Sequence, residues 1–100
     1  MTLDYARKKH GLSLKHVAGL LGLQVGTVNN YCSSMAFAKL SGIEAEKLDH
    51  IIETAYAIAV KVMNDKTVSQ VAIGTNAKHI IAMGYELTEE ARQIFEVLAK

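Results

Sequence analysis

The chain of 100 residues has the length of one small domain, or of a small domain with an added oligomerisation element. Half of its residues are hydrophobic, but no uncharged apolar run approaches the ~18 residues that a transmembrane helix needs, and the N-terminus does not resemble a secretory signal. One cysteine excludes an internal disulfide framework, which favours a cytoplasmic location. The net charge of +1 points to no particular class of partner.

The first predicted helix runs from about Leu3 to His10. Thr2 is a suitable N-cap, and Gly11 is a signal for the end of the helix. Cations in the last turn interact favourably with the helix dipole, so this basic cluster has a structural explanation beside any role in binding anions. The cluster consists of Arg7, Lys8 and Lys9.

Residues 13–40 have the pattern of two helices joined by a tight turn. Ser13 is the N-cap of the first helix, which ends where Gly22 can adopt the left-handed conformation. Gln24 opens the second helix, and Val28 and Tyr31, three residues apart, form its buried side. We expect the second helix to continue until Ser41-Gly42, and its later apolar contacts to come from Met35, Phe37 and Leu40.

The charges are distributed unevenly along the chain. Residues 1–42 contain five Lys or Arg against one Asp, a balance of +4, whereas residues 43–100 contain six against nine, a balance of −3. No carboxylate lies between Lys15 and Glu44. The basic half coincides with the two-helix pattern, as contact with a phosphate backbone requires, although a solvated helix face can also carry such an excess.

The segment LDYARKKHGLSLKHVAGLLGLQVGTVNNY resembles the opening of a Cro/C1-type repressor domain. Its continuation CSSMAFAKL is more similar to a LuxR-type output domain or to region 4 of a sigma factor. Across about the first half of the chain, this resemblance implies a helix-turn-helix whose second helix enters the DNA major groove. The alternatives are an ordinary helical hairpin and a helix-turn-helix that binds protein.

The second helix carries polar side chains opposite Val28 and Tyr31. Asparagine pairs with N6 and N7 of adenine, and threonine can contact a thymine methyl group. Gly26 has no side chain where the resembled families often have one, which favours modest or shape-based specificity. The predicted base-contacting residues are Gln24, Thr27, Asn29, Asn30 and Ser33, and the predicted phosphate-contacting residues are Lys8, Lys9, Ser13, Lys15 and His16.

The second half of the chain has the longest helical signal, from Ile43 to about Met63, and Thr88 is the N-cap of a final helix. The apolar stripes of these helices belong to the core, and we expect them also to contribute to a homodimer interface. Two-fold symmetry would match palindromic DNA half-sites. The predicted interface residues are Ile51, Ala55, Ile58, Val62, Ile94, Phe95 and Leu98.

Residues 66–87 have an ambiguous pattern. A helix from Ala77 to Met83 is one interpretation, and a small β wing with strands near 68–73 and 79–85 is the other.

The predicted fold of the whole chain is all-α: a helix-turn-helix domain of about four helices plus C-terminal helices, with the possible β wing at 66–87. Residues 1–42 are the predicted DNA-binding unit and residues 43–100 the helical core and dimerisation region, together forming one domain.

No catalytic motif is present in the sequence. Its four histidines have no metal-site spacing, and neither a glycine-rich phosphate loop nor a nucleophile elbow occurs. Cys32 has no evident base beside it, so a packed thiol is favoured over a redox sensor. We therefore predict no enzyme activity, metal or cofactor.

The predicted function is sequence-specific binding of double-stranded DNA by a homodimeric transcriptional regulator, most simply a repressor. By analogy, small proteins of this type serve phages and plasmids. One alternative is a protein-binding adaptor, and another is a DNA-organising or plasmid-segregation protein. A small-molecule sensor with a pocket in residues 66–87 is the third.

Overall fold

A computed structural model describes residues 1–63, 73–82 and 87–99, and these residues contain helices and no strand. The predicted all-α class is confirmed. None of the described helices combines the length and the apolar character needed to cross a bilayer. The elements are α1 (Leu3–Lys9), α2 (Leu14–Leu21), α3 (Val25–Ser33), α4 (Met35–Ala38), a 3-10 turn (Lys39–Ser41), α5 (Gly42–Met63), α6 (Ile73–Ala82) and α7 (Glu89–Ala99).

The first helix begins at the predicted residue and ends at Lys9, one residue before the predicted end. The Thr2 side chain accepts a hydrogen bond from the backbone N–H of Tyr5 at 3.2 Å, which is an N-cap contact. His10 follows the last helical residue, and Gly11 has φ of 64°. The glycine ends the helix because it adopts this left-handed conformation without the steric cost of a Cβ atom.

The connection between α2 and α3 is a tight turn with its own hydrogen bonds. Gly22 has φ of 68° and ψ of 30°, and the N–H of Leu23 donates to the carbonyl of Ala18 at 3.0 Å. A Cβ atom added to Gly22 would meet nothing within 4 Å, so the backbone conformation, and not lack of space, requires glycine here. At the other end of α2, the Ser13 hydroxyl accepts a hydrogen bond from the N–H of His16. The predicted helix, turn and second helix are therefore present.

The chain divides into two units, Met1–Ile51 and Ile52–Lys100. In the first unit, α3 contacts α1, α2 and α4. Its Val28 side chain is fully buried, and the hydroxyl of buried Ser41 accepts a hydrogen bond from the N–H of Leu3 at 3.2 Å. The apolar core of this unit includes Leu3, Ala6, Leu12, Val17, Ala18, Val28, Ala45 and Leu48.

The second predicted helix is shorter than expected. It ends at Ser33, and Ser34 has the extended values φ −96° and ψ 123°. The Ser33 hydroxyl donates to the carbonyl of Asn29 at 2.6 Å, and such side-chain bonds compete with the regular helical ladder. The prediction that Ser41-Gly42 breaks the helix was wrong, because Gly42 is helical and is the first residue of α5.

In the second unit, α6 contacts α7. The Thr88 hydroxyl accepts a hydrogen bond from the N–H of Ala91 at 3.2 Å, so the predicted N-cap of α7 is confirmed. The β-wing interpretation was wrong for residues 73 and 79–82, which are helical, and its other positions at 68–72 and 83–85 lie outside the described residues. The helical interpretation was correct in type, but α6 begins at Ile73, four residues before the predicted start.

The two units meet in sequence at residue 51, nine residues beyond the predicted boundary at residue 42. The reason lies in the first part of α5. There Asp49 accepts hydrogen bonds from Lys9 and His10, which connect this part of the helix to the C-terminal end of α1. The start of α5 therefore belongs to the same unit as α2 and α3.

Candidate nucleic-acid interface

One side of α3 is open to solvent. Val28 is buried on the opposite side, and Thr27, Tyr31 and Cys32 are half-buried at the flanks. Successive residues of an α-helix are rotated by ~100°, so the exposed residues fall on one continuous arc. We call this arc the α3 face, and it consists of Val25, Gly26, Asn29, Asn30 and Ser33.

The polar groups of the α3 face are available for binding. The carboxamides of Asn29 and Asn30 make no hydrogen bond to another residue in the described part of the chain, and α3 contains no charged side chain. Ser33 is different, since its hydroxyl hydrogen is donated to the Asn29 carbonyl. Ser33 can therefore only accept a hydrogen bond from a ligand, whereas each asparagine can donate and accept.

The exposed cations of α1 are partly neutralised by a neighbouring carboxylate. Asp4 lies 3.0 Å from Arg7 and 3.1 Å from Lys8, and Arg7 also donates to the carbonyl of Leu12. Hydrogen bonding to Lys8, and then to Arg7, lowers the pKa of Asp4. Lys8 is nevertheless 68% exposed, and exposed pairs of this kind contribute only ~0–1 kcal/mol. Lys8 can therefore exchange this partner for a phosphate at small cost.

Lys9 has a structural role that the sequence did not indicate. Its ammonium lies 2.9 Å from an oxygen of Asp49, and Nε2 of the buried His10 lies 2.7 Å from the same oxygen. The hydrogen bond from Lys9, and then that from His10, lowers the pKa of Asp49. An ionised carboxylate only accepts, so His10 Nε2 is the donor. This cluster of Lys9, His10 and Asp49 connects α1 to α5, and its lysine is less available to phosphate than the sequence suggests.

The start of α2 is better suited to bind an anion. Lys15 is exposed and forms no ion pair with any described residue. The N–H of His16 is satisfied by Ser13, but the N–H groups of Leu14 and Lys15 have no partner among the described residues. Free N–H groups at a helix N-terminus, beside an unpaired lysine, are a suitable arrangement for a phosphate oxygen.

Cys32 lies at the flank of α3 near α1. Burial, and then the neighbouring Asp4, raises the pKa of its thiol, and Arg7 has a smaller opposite effect. The thiol is therefore mostly protonated at neutral pH, which makes it a poor nucleophile. The packing role of Cys32 stays a prediction.

The structure also shows a candidate that sequence reasoning missed. Val25 is apolar and was not among the predicted binding residues, but its side chain is 48% exposed. It precedes Asn29 by four residues and so lies on the same stripe of the helix. The four-residue spacing between Val25 and Asn29 is the sequence signal that places Val25 on the exposed side of α3. Thr27, in contrast, lies at the flank of α3 and is less accessible than predicted, whereas Gln24 is exposed at the N-terminus.

The predicted dimer-interface residues divide into two groups. Ala55, Phe95 and Leu98 are buried within the single chain, so they are core residues and not available to a partner in this arrangement. The reason is that the apolar stripes of α5 and α7 contribute to the chain's own core. Partial exposure is found at Ile51, Ile58 and Ile94, and the side chain of Val62 lies outside the described residues.

In the described part of the chain, no three His, Cys, Asp or Glu side chains come together as ligands for a metal ion. Comparison of the chain with protein-family models, with the sequences of characterised proteins and with solved structures gave no match.

Proposed function

We propose that this protein binds double-stranded DNA sequence-specifically and regulates transcription, with α3 in the major groove. The observation that carries the proposal is the α3 face. It is an exposed, uncharged surface with two unpaired carboxamides, on the helix that follows α2 after the tight turn at Gly22. Side chains of this kind, presented by a helix, match the hydrogen-bonding edges of bases in the major groove.

Phosphate contacts would hold the helix in register. Lys15 and the free N–H groups at the start of α2 are the first candidates, and the exposed Lys8 on α1 is the second. Since no carboxylate lies between Lys15 and Glu44, nothing within that stretch repels the DNA backbone. Occupancy of a site near a promoter would then block polymerase sterically, which is the action of a repressor.

The active form in this proposal is a cytoplasmic homodimer. Two kinds of exposed apolar residue support an interface between copies. Met35 is 88% exposed and Leu40 is 64% exposed, and Phe37 and Ile43 are also exposed. Large exposed apolar side chains close together in the chain are typical of interaction surfaces. The partly exposed residues of the predicted interface, Ile51, Ile58 and Ile94, are the other candidates.

The test is recovery of genomic fragments by the purified protein, followed by sequencing and by affinity measurements over a range of salt concentrations. We expect enrichment of one or a few sites and a linear fall of the logarithm of affinity with the logarithm of salt concentration. Failure to retain any duplex at low salt would overturn the proposal. Recovery of many tandem sites would instead indicate the DNA-organising or plasmid-segregation alternative.

The second candidate function is a protein-binding adaptor. The exposed apolar residues Met35, Phe37, Leu40 and Ile43 favour it, because a peptide partner would cover them. Replacing Met35 and Leu40 by serine separates the two functions. If the protein is an adaptor, this double variant should lose its protein partner. If the protein binds DNA, the variant should keep its affinity for an isolated half-site.

A further inference from the structure

The chemistry of the α3 face is selective among base pairs. In the major groove, arginine and lysine are the usual partners of guanine, and aspartate and glutamate accept from cytosine. The α3 face contains none of these four residue types. It contains two asparagines, whose carboxamides pair with N6 and N7 of adenine, and an exposed aliphatic side chain at Val25.

Resting on the proposed function, we infer that the α3 face reads A·T base pairs: Asn29 and Asn30 bond adenine, and Val25 packs against the C5-methyl group of thymine. Adenine and thymine present these groups together, because every A·T pair carries both in the major groove. Val25 and Asn29 are one helical turn apart, about 6 Å along the axis. They can therefore contact the same base pair or closely neighbouring pairs.

Two further features of the α3 face are compatible with this inference. Ser33 can only accept a hydrogen bond, because its hydroxyl hydrogen is donated to the Asn29 carbonyl, so it can accept from the N6 amino group of adenine and equally from the N4 amino group of cytosine. Gly26 lies between Val25 and the asparagines, and a Cβ atom added there would meet nothing within 4 Å. The open space beside Gly26 allows the groove edge to approach the helix closely.

The test begins with selection of bound duplexes from a random pool. The selected site is then synthesised with single-atom changes. 7-Deazaadenine removes the N7 acceptor of adenine, and uracil removes the methyl group of thymine. The protein variants are Asn29→Ala and Val25→Ala, with Gln93→Ala on α7 as a matched control for an exposed amide side chain.

We expect A·T pairs at the selected core. When adenines of the site are replaced one at a time by 7-deazaadenine, wild type should lose about fivefold to a hundredfold in affinity at each contacted adenine, and Asn29→Ala should become insensitive at one of them while Asn30 still detects the other. Replacing thymine by uracil should cost wild type about threefold to fivefold, and Val25→Ala should no longer detect it. Gln93→Ala should behave as wild type in both comparisons.

The two proposals fail differently. A selected core of G·C pairs, or unchanged sensitivity of the Asn29→Ala and Val25→Ala variants to the modified bases, would overturn the A·T inference while DNA binding remains. If wild type retains no duplex from the pool at low salt, the proposed function itself fails and the inference falls with it.

Discussion

The α1 cations and the α3 amides differ in how far their own protein already uses them. Arg7 and Lys8 contact Asp4 within α1, and Lys9 and His10 contact Asp49 on α5, so the most basic stretch of the sequence already has partners in its own protein. The carboxamides of α3 carry no charge and have no partner in the described residues. A cluster of charge in the sequence therefore marks a candidate surface, whereas unused hydrogen-bonding capacity indicates which residues can bind.

The largest expected effect comes from removing the unused carboxamides of α3. The double variant Asn29→Ala, Asn30→Ala should reduce discrimination between the best site and unrelated DNA by ~1–3 kcal/mol for each lost bidentate contact. Its affinity for unrelated DNA should change little, because phosphate contacts dominate there. Competition binding with both kinds of duplex measures this difference. Full site preference in the variant would show that α3 does not read bases.

The next largest effect is on stability, and it comes from the contacts of Lys9 and His10 with Asp49. Asp49→Asn removes the charge that Lys9 and buried His10 share, and we expect a loss of about 2–3 kcal/mol in the free energy of unfolding at pH 7. Because folding lowers the pKa of Asp49 below 3.8, its stabilisation is fully present above the unfolded pKa and disappears as pH falls through the folded pKa.

Urea unfolding of wild type and Asp49→Asn between pH 7 and pH 3 measures that effect. The Asp49 contribution to the difference in stability should begin to shrink below about pH 4. Glu53→Gln, an exposed position further along α5, is the matched control and should change stability by less than about 0.5 kcal/mol. If Asp49→Asn is as stable as wild type at pH 7, the Lys9, His10 and Asp49 cluster has no structural role.

A smaller effect distinguishes Lys15 from Lys8 by the salt dependence of DNA affinity. Lys15→Ala should reduce the slope of log affinity against log salt by about 0.9, the value for one phosphate contact on duplex DNA. Lys8→Ala should reduce it less, because Lys8 already neutralises Asp4 at 3.1 Å. Anisotropy titrations at four or more salt concentrations give both slopes. A larger change for Lys8→Ala would place the phosphate contact on α1.

The smallest effects come from replacing glycine by alanine at two positions, one in the turn before α3 and one on the α3 face. Gly22→Ala should destabilise the fold by about 1–2 kcal/mol, because Gly22 has φ of 68°. Gly26→Ala should stabilise it by about 0.5–1 kcal/mol, since Gly26 is helical and the added methyl group enters open space. Thermal unfolding of the two variants should therefore shift in opposite directions, and shifts in the same direction would contradict this assignment.

The helix termini could be predicted because their causes are local. Thr2, Ser13 and Thr88 cap the N–H three residues ahead, and Gly22 adopts the conformation that only glycine accepts easily. The end of α3 could not be predicted, because the backbone becomes extended at Ser34, where neither glycine nor proline marks an end in the sequence. Apolar periodicity alone favours a continuous helix there.

The candidate site was only partly predictable for a different reason. The asparagine face follows from the helical period, and the structure leaves both asparagines exposed. The availability of the cations depends on contacts between distant residues, such as Lys9 with Asp49, forty positions apart. The exposure of Val25 is indicated by its spacing of four residues from Asn29, but its apolar side chain by itself favours a buried position.

The most direct measurement is a nuclear magnetic resonance titration of the protein with duplex DNA, observing side-chain amide groups. The signals of Asn29 and Asn30 should shift or broaden as DNA is added. The signal of Gln93, which donates to Glu89 on α7, should remain unchanged. DNA binding that leaves the Asn29 and Asn30 signals unaffected would contradict the role of the α3 face.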